Sequence, residues 1–364
     1  MINLSEDDKA ILWLVCVEAL SYKERIDLID MYDSPSQLRK EFAFNKAVAD
    51  YVGNDKYQLM LSTCGDEYIN NIVNNLHNQN IDVITYMSDY YPKDLLDIPS
   101  YPLILFCKGN LELFKTKCIA IVGTRRITRY GIDVTTMFAR DLALTGFTIV
   151  SGMAEGVDTV AHEATLKCGG NTIAVLGAGF NNIYPVSNEG LYNRILQNNG
   201  LVVTEYLPAV PPLNYNFPIR NRIIVGLSVG VLITEATEKS GTMHSKNYAV
   251  DFNKDLYVVP GRITDIYSKG CNNIIKTCQG AIVTCPDDII SQYNIVYEHH
   301  DKVQSNTQYS MDESIIISAL QGHERSFDDL IVQTEFDVKK LTTLLMKLTI
   351  KGSIKKLSGG MYSL

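Results

Sequence analysis

Apolar and polar positions alternate along the chain in distinct regimes. Over residues 1–84 the apolar positions recur at helical spacing. The clearest case is KAILWLVCVEAL (9–20), which follows Ser5, a residue type that caps helix N-termini, with acids in the first turn. A small helical domain is predicted over 1–84. Pro92, Pro99 and Pro102 then mark a connector ending in a buried strand, LILFC. From residue 118 short apolar runs alternate with helical segments: CIAIV (118–122), FTIVS (147–151), NTIAVL (171–176), LVVTE (201–205), GVLIT (230–234) and DLYVV (255–259). Near-continuous apolar strands separated by helices predict a parallel sheet covered on both faces, so 85–295 is expected to be a Rossmann-like, doubly wound α/β domain. Residues 291–310 turn polar and predict a linker. Beyond it, 311–364 shows three helical segments and IKKLSGGMYSL, read as a hairpin turning at Gly359-Gly360, which together predict a winged-helix domain.

Composition narrows the class. The chain has 364 residues, 46% hydrophobic and 20% charged, which excludes a disordered or fibrous protein. No apolar run reaches the ~18 residues of a membrane helix, and the acidic start is unlike a secretory leader, so a cytoplasmic protein without membrane contact is expected. Eight cysteines include no CxxC pair. Cys271, Cys278 and Cys285 recur at sevens with no histidine nearby, so no disulfide framework, metal or cofactor is expected. The net charge of −8 argues at first against a nucleic-acid partner. Its distribution reverses that reading: residues 1–100 carry 8 basic and 17 acidic side chains, whereas the rest carries 25 and 24. Lys117, Arg125, Arg126 and Arg129 lie in 117–132 without an acid, and six lysines (339, 340, 347, 351, 355, 356) lie in 339–364, again without one.

The candidate chemistry sits in the loops that follow the strands. The first apolar run leads through Gly123, Thr124, Arg125 and Arg126 into a helix, where unpaired N–H groups, a glycine and full positive charges make a phosphate site. After the second strand, Ser151, Asp158 and His162 suggest a hydrolytic triad. No G-x-S-x-G elbow is present, so helix capping and a buried hydrogen bond are the preferred roles. Gly152 in that loop is expected to let a ligand approach. Gly177-Ala178-Gly179 starts a dinucleotide fingerprint, but Asn182 replaces the third glycine, which disfavours NAD. Arg220, Asn221 and Arg222 open an apolar helix, Ser240 and Gly241 form a turn after the fifth strand, and Asn272 lies on a later loop of the same rim. These loops are expected to converge on one crevice that binds a polyanion.

The stretches GTRRITRYG, SGMAEGVDTVAHEATLKCGGNTIAVLGAGFNNIYPVSNEGL, FPIRNRIIVGLS, EATEKSGTMHSKNYAV, VPG and KGCNNIIK, with YPKDLLDIP ahead of them, resemble the DNA-processing protein A (DprA, or Smf) family. The resemblance covers about 85–290 strongly. The helical N-terminus, of SAM or helix-hairpin-helix type, and the winged C-terminus match more loosely. It implies a non-enzymatic protein that binds and protects single-stranded DNA in natural transformation, helps load the RecA recombinase, and dimerises through the Rossmann-like domain. The family arginine falls on Arg125 and the RNR pair on Arg220 and Arg222. Asn171 stands where a basic residue is common, and SGTMHS departs from a more apolar form. Rossmann-like nucleotide phosphoribohydrolases share the fold type, but their P-G-G-x-G-T-x-x-E signature is absent. The lysines on the last helix and wing of the winged domain leave two further partners open, duplex DNA or a protein, and a solvated face is the commoner role of such lysine runs.

Overall fold

A computed structural model describes residues 3–293, 309–320, 324–350, 353–357 and 360–363. Two compact units are present, Met1–Ile295 and Val296–Leu364.

The first unit is built on a nine-stranded sheet: β1 (Asp82–Thr85), β2 (Ile104–Gly109), β3 (Cys118–Val122), β4 (Thr148–Ser151), β5 (Thr172–Val175), β6 (Leu201–Thr204), β7 (Gly230–Ile233), β8 (Asp255–Val258) and β9 (Ala281–Ile282). The spatial order is β1-β2-β6-β5-β4-β3-β7-β8-β9. From β6 to β9 the strands are parallel, whereas β1–β2 and β2–β6 pair antiparallel. The six predicted apolar runs are β3 to β8, and LILFC contributes β2. Their residues are buried on both faces: Ala120, Val122, Val150 and Val231 join one core, and Phe106, Ala174, Leu176 and Val202 join another. Each buried Val or Leu of this kind contributes about 1.5–3 kcal/mol. The chain lays down β3 to β6 in one direction, then returns to add β7 to β9 on the other side of β3. That reversal places β3 beside β7 with their following loops diverging, the switch point at which α/β sheets open a crevice.

Six short helices precede the sheet: Glu6–Cys16, Tyr22–Asp30, Pro35–Glu41, Lys46–Val52, Asn54–Thr63 and Asp66–Asn78. Ser5 caps the first as expected. Its hydroxyl accepts from the Asp8 N–H while the Asp8 carboxylate accepts from the Ser5 N–H. This helix is buried all round from Ala10 to Val15. Trp13 and Leu14 pack against Leu38, Phe42 and Met60, with Trp13 Nε1 donating to Thr63 Oγ1 at 3.1 Å. Ile11, Leu12 and Val15 pack instead with Val83, Ile104 and Phe106 of the sheet edge. The helical layer therefore shares a core with the sheet.

The second unit contains helices Met311–Leu320, Phe327–Thr334 and Val338–Ile350. Three short antiparallel strands, Arg325–Ser326, Lys355–Lys356 and Met361–Ser363, lie in the order first, third, second. Ile316, Leu320, Leu330, Leu341, Leu345 and Leu348 form its core. Residues 294–308 of the predicted linker, Lys351, and Gly359 of the predicted turn lie outside the described residues. Among the described residues no helix is long and apolar enough to cross a membrane.

Candidate functional site

A crevice of about 390 Å³ opens at the switch point, over the ends of β3 and β7. One wall is the turn after β3, with Gly123, Thr124, Arg125 and Arg126. Glu235 fixes this turn from the end of β7. Its carbonyl accepts from the Thr124 N–H at 2.8 Å, and its carboxylate accepts from the Thr128 N–H at 2.9 Å and the Thr128 hydroxyl at 2.7 Å. Glycine at 123 serves packing: a Cβ there would meet Val157 Cγ2 at 2.5 Å and the Glu235 carbonyl at 2.8 Å. The glycine thus lets the protein's own groups approach on that side, while the residue itself lines the crevice.

Arg125 and Arg126 project into solvent at the mouth. The Arg125 guanidinium lies over the Phe217 ring, 5.5 Å from its centroid, and Phe217 in turn packs against Tyr184 at 5.3 Å. Among the described residues neither arginine has a carboxylate within ion-pair distance, whereas Arg129 is matched by Asp133 at 3.3 Å. Both cations are therefore available. The facing wall is the start of helix Thr242–Asp251, reached through Ser240 and Gly241. Its N-terminal N–H groups add partial positive charge. The Ser240 and Ser245 hydroxyls are buried on this wall, with no hydrogen-bond partner among the described residues.

Helix Asn216–Gly226 supplies the third side with Phe217, Arg220 and Asn221. Arg220 is only 3% exposed. Its Nη1 donates to the Gly152 carbonyl at 2.7 Å and to the Val175 carbonyl, and Nε donates to Asn221 Oδ1 at 3.2 Å. Burial pushes its pKa down to about 10, with the nearby Asp158 pulling the other way. Asp158 accepts from the N–H groups of Gly152 and Ala154. Burial raises its pKa, opposed by Arg220. Gly152 is a glycine because a Cβ would meet the Arg220 guanidinium at 2.6 Å and Asp158 Oδ2 at 2.8 Å. Arg220, Asp158 and Gly152 are thus the floor that holds the 152–158 loop.

The possible triad is dispersed. The Ser151 hydroxyl donates to the Ile121 carbonyl at 2.7 Å, and His162 Nδ1 lies 2.7 Å from Thr172 Oγ1. Burial drops the His162 pKa to about 3. Asp158 does not cap the helix that contains it, since the N-cap is Gly156 and Asp158 serves the preceding loop. Three candidates lie away from the crevice lining, and the first is Gly152, in the loop beneath it. Arg222 is paired with Glu205, and Asn272 exchanges hydrogen bonds with Gly261, N–H to Oδ1 at 3.1 Å and Nδ2 to carbonyl at 3.0 Å. Phe217, Tyr184, Thr242 and Ser245 line the crevice without having been singled out. The aromatic beside Pro218 in FPIRNR was the available signal.

A family model described as DNA recombination-mediator protein A matches residues 82–294, from β1 past β9 and including every crevice residue. The chain belongs to this family. Protein Smf of Escherichia coli (strain K12) is 36% identical over 293 residues, 78% of each chain. DNA processing protein DprA of Streptococcus pneumoniae (strain ATCC BAA-255 / R6) is 40% identical over 208 residues, 57% of this chain and 72% of that one. The X-ray structure of the Streptococcus pneumoniae DprA superimposes with a TM-score of 0.67 at 30% identity, covering 80% of this chain and 99% of that one. A structure of DNA processing protein A from Helicobacter pylori, concerned with its single-stranded DNA binding mode, gives 0.54 at 33% identity, covering 58% and 95%. The family's match thus coincides with the sheet and its switch-point crevice.

Proposed function

We propose that the crevice binds single-stranded DNA, with phosphates at Arg125, Arg126 and the start of helix Thr242–Asp251 and a base against Phe217 and Tyr184. The carrying observation is Arg125: exposed, unmatched by a carboxylate, and held on the face of an aromatic ring. Cations that track the backbone beside rings that stack bases are how proteins hold single strands without reading sequence. Unstacked bases reach such a ring, and paired ones do not. The relatives named for DNA processing and the Helicobacter pylori structure support the same reading.

The role is binding, not catalysis: Ser151 and His162 are each committed to other partners. Protection of incoming strands and their transfer to the RecA recombinase fit the family's description as a recombination mediator. A homodimer through the sheet unit is supported by the edge strand β9, whose Ala281 and Ile282 are both exposed. The second unit is read as a winged helix from its three helices and its strand order. Its share of duplex binding is small, because Lys340 is matched by Asp312 at 2.9 Å and Lys347 by Glu313 at 3.1 Å.

Anisotropy titration of labelled single strands and duplexes tests this reading. Arg125→Ala should weaken single-strand binding by about tenfold or more, the value of one charge-assisted hydrogen bond. It should also make the salt dependence shallower by about 0.7 in log-log slope. Unchanged affinity in a folded variant refutes the crevice as the site.

A further inference from the structure

Arg220 and Arg222 stand two residues apart on helix Asn216–Gly226, roughly 200° around its axis, and they serve different neighbours. Arg220 turns under the crevice. Arg222 turns away from it: its Nη2 lies 2.5 Å from Glu205 Oε2, with side-chain exposures of only 10% and 15%. Glu205 directly follows β6. Around this pair gather Tyr22 and Arg25 of helix Tyr22–Asp30, Tyr91 of the proline-rich connector, and Tyr206, each with Arg222 or Glu205 among the charges acting on it. These groups are themselves tied down. Tyr91 donates to the Pro102 carbonyl at 2.6 Å, Arg25 donates to the Val15 and Val17 carbonyls, and Tyr22 packs edge-on against Tyr101. At the far end of the same helix, a Cβ at Gly226 would meet Leu95 Cδ2 at 2.6 Å, so the connector grips the helix there too. One side of helix Asn216–Gly226 thus rests on the end of β6 and on Leu95 and Ile98 of the connector, and the other is the crevice wall.

We propose that the Glu205–Arg222 pair is a positioning device. It fastens the helix that presents Phe217, Arg220 and Asn221 to the end of β6, so that this anchor sets the crevice wall, and Arg222 itself touches no DNA. The proposal rests on the crevice being the single-strand site. Electrostatics alone makes the opposite prediction for Glu205. Deleting an acid near a DNA site ordinarily strengthens binding, and a freed Arg222 would add a phosphate contact.

The test is anisotropy of the full chain on labelled oligothymidylate across a salt series, with thermal melts as a folding control. Glu205→Gln and Arg222→Gln should each weaken binding by about threefold to tenfold, the range of a coupled pair, with the salt slope unchanged. The double variant should lose no more than either single one, and Arg222→Lys, which keeps the ion pair, should bind within about twofold of the parent. Tighter binding in Glu205→Gln, or a slope about 0.7 shallower in Arg222→Gln, makes Arg222 a phosphate contact and overturns the proposal. Failure of Arg222→Lys to bind better than Arg222→Gln also overturns it, and covers the case in which Arg222→Gln does not fold. Arg125→Gln separates the two levels: if it changes neither affinity nor slope, the crevice reading falls and this proposal with it, whereas a normal Arg125 effect confines failure to the pair.

Discussion

Replacing Arg220 with methionine keeps most of the side-chain volume and deletes the guanidinium beneath the crevice. Lost with it are the hydrogen bonds to the Gly152 and Val175 carbonyls and the positive charge facing Asp158. A hydrogen bond from a charged donor is worth about 1.5–3 kcal/mol, and stripping a buried charge of its partner costs about 3–5 kcal/mol. These losses overlap, since one group makes all of them, which leaves about 4 kcal/mol, or about 8–16 °C in melting temperature for a unit of this size. The pH dependence identifies the cause. Asp158 already has a folded pKa raised above its unfolded one, because burial disfavours the carboxylate, and Arg220 opposes that rise. Without Arg220 the folded value climbs further. A carboxyl that holds its proton more tightly when folded loses stability as pH rises from the unfolded value through the folded one, so the deficit grows with pH and shrinks in acid. His162 adds to the same trend, because Arg220 helps to lower its pKa, and the Asp158→Asn addition is what separates the two groups. Melting temperatures by circular dichroism at about pH 7 and about pH 4.5 should therefore show a larger gap at pH 7, and adding Asp158→Asn should recover part of it. An equal gap at both pH values would refute the Asp158–Arg220 account, and no gap at all would show that the floor is not held by this arginine.

Three further outcomes follow from single contacts. His162 donates from Nδ1 to Thr172, whose hydroxyl is committed to the Ile149 carbonyl, and its folded pKa near 3 means stability is lost as pH falls from about 6.5 toward 3. Urea unfolding should show that His162→Gln lacks about 3 kcal/mol of the parent's loss between pH 7 and pH 4, and identical pH profiles would exclude this histidine as the source. Phe217→Ala should cost about 1–3 kcal/mol of single-strand affinity with the salt slope intact, because stacking releases no counterions; a shallower slope in titration would show that the ring acts only by holding Arg125. Ser326 caps helix Phe327–Thr334 in a reciprocal box with Asp329, so Ser326→Ala should cost about 1 kcal/mol in the second unit alone, read as an earlier melt of that unit with the main transition unmoved.

The strands were legible because each parallel strand, buried on both faces, must be apolar at nearly every position. Hence β3 to β8 stood out, while β9, two exposed residues long, and β1, four residues between the helices and the proline-rich connector, did not. The rim was legible for a related reason: in a doubly wound sheet every loop after a parallel strand emerges at one end, so listing those loops lists the rim. Direction was not. Arg220 and Arg222 look alike in FPIRNR, and only the packing of the helix assigns one to the floor and the other to Glu205. Glycines are ambiguous in the same way: Gly123 and Gly152 read as openings for a ligand, and at both the space a Cβ would need is taken by the protein itself, by Val157 and by Arg220. A short residue in a loop reports that something approaches closely, and sequence alone does not say whether that is a ligand or the protein's own side chain.

Net charge is a poor guide here for a physical reason. At physiological ionic strength the screening length is about 8 Å, so a strand at the crevice feels the groups lining it far more than distant ones. Several acids of the N-terminal layer are occupied where they stand: Glu6 with Lys9, Glu24 with Lys56, Asp66 with Arg39, and Asp8 in the cap of the first helix. Within the crevice itself Asp158, the one lining carboxylate among the described residues, faces Arg220 and accepts two backbone N–H groups, so its charge is offset before it reaches the ligand. What remains unmatched at the mouth is Arg125 and Arg126, with the end of a helix opposite. An acidic protein can therefore present a local anion site, because screening cuts the crevice off from distant acids while the cations at its mouth stand close to the ligand.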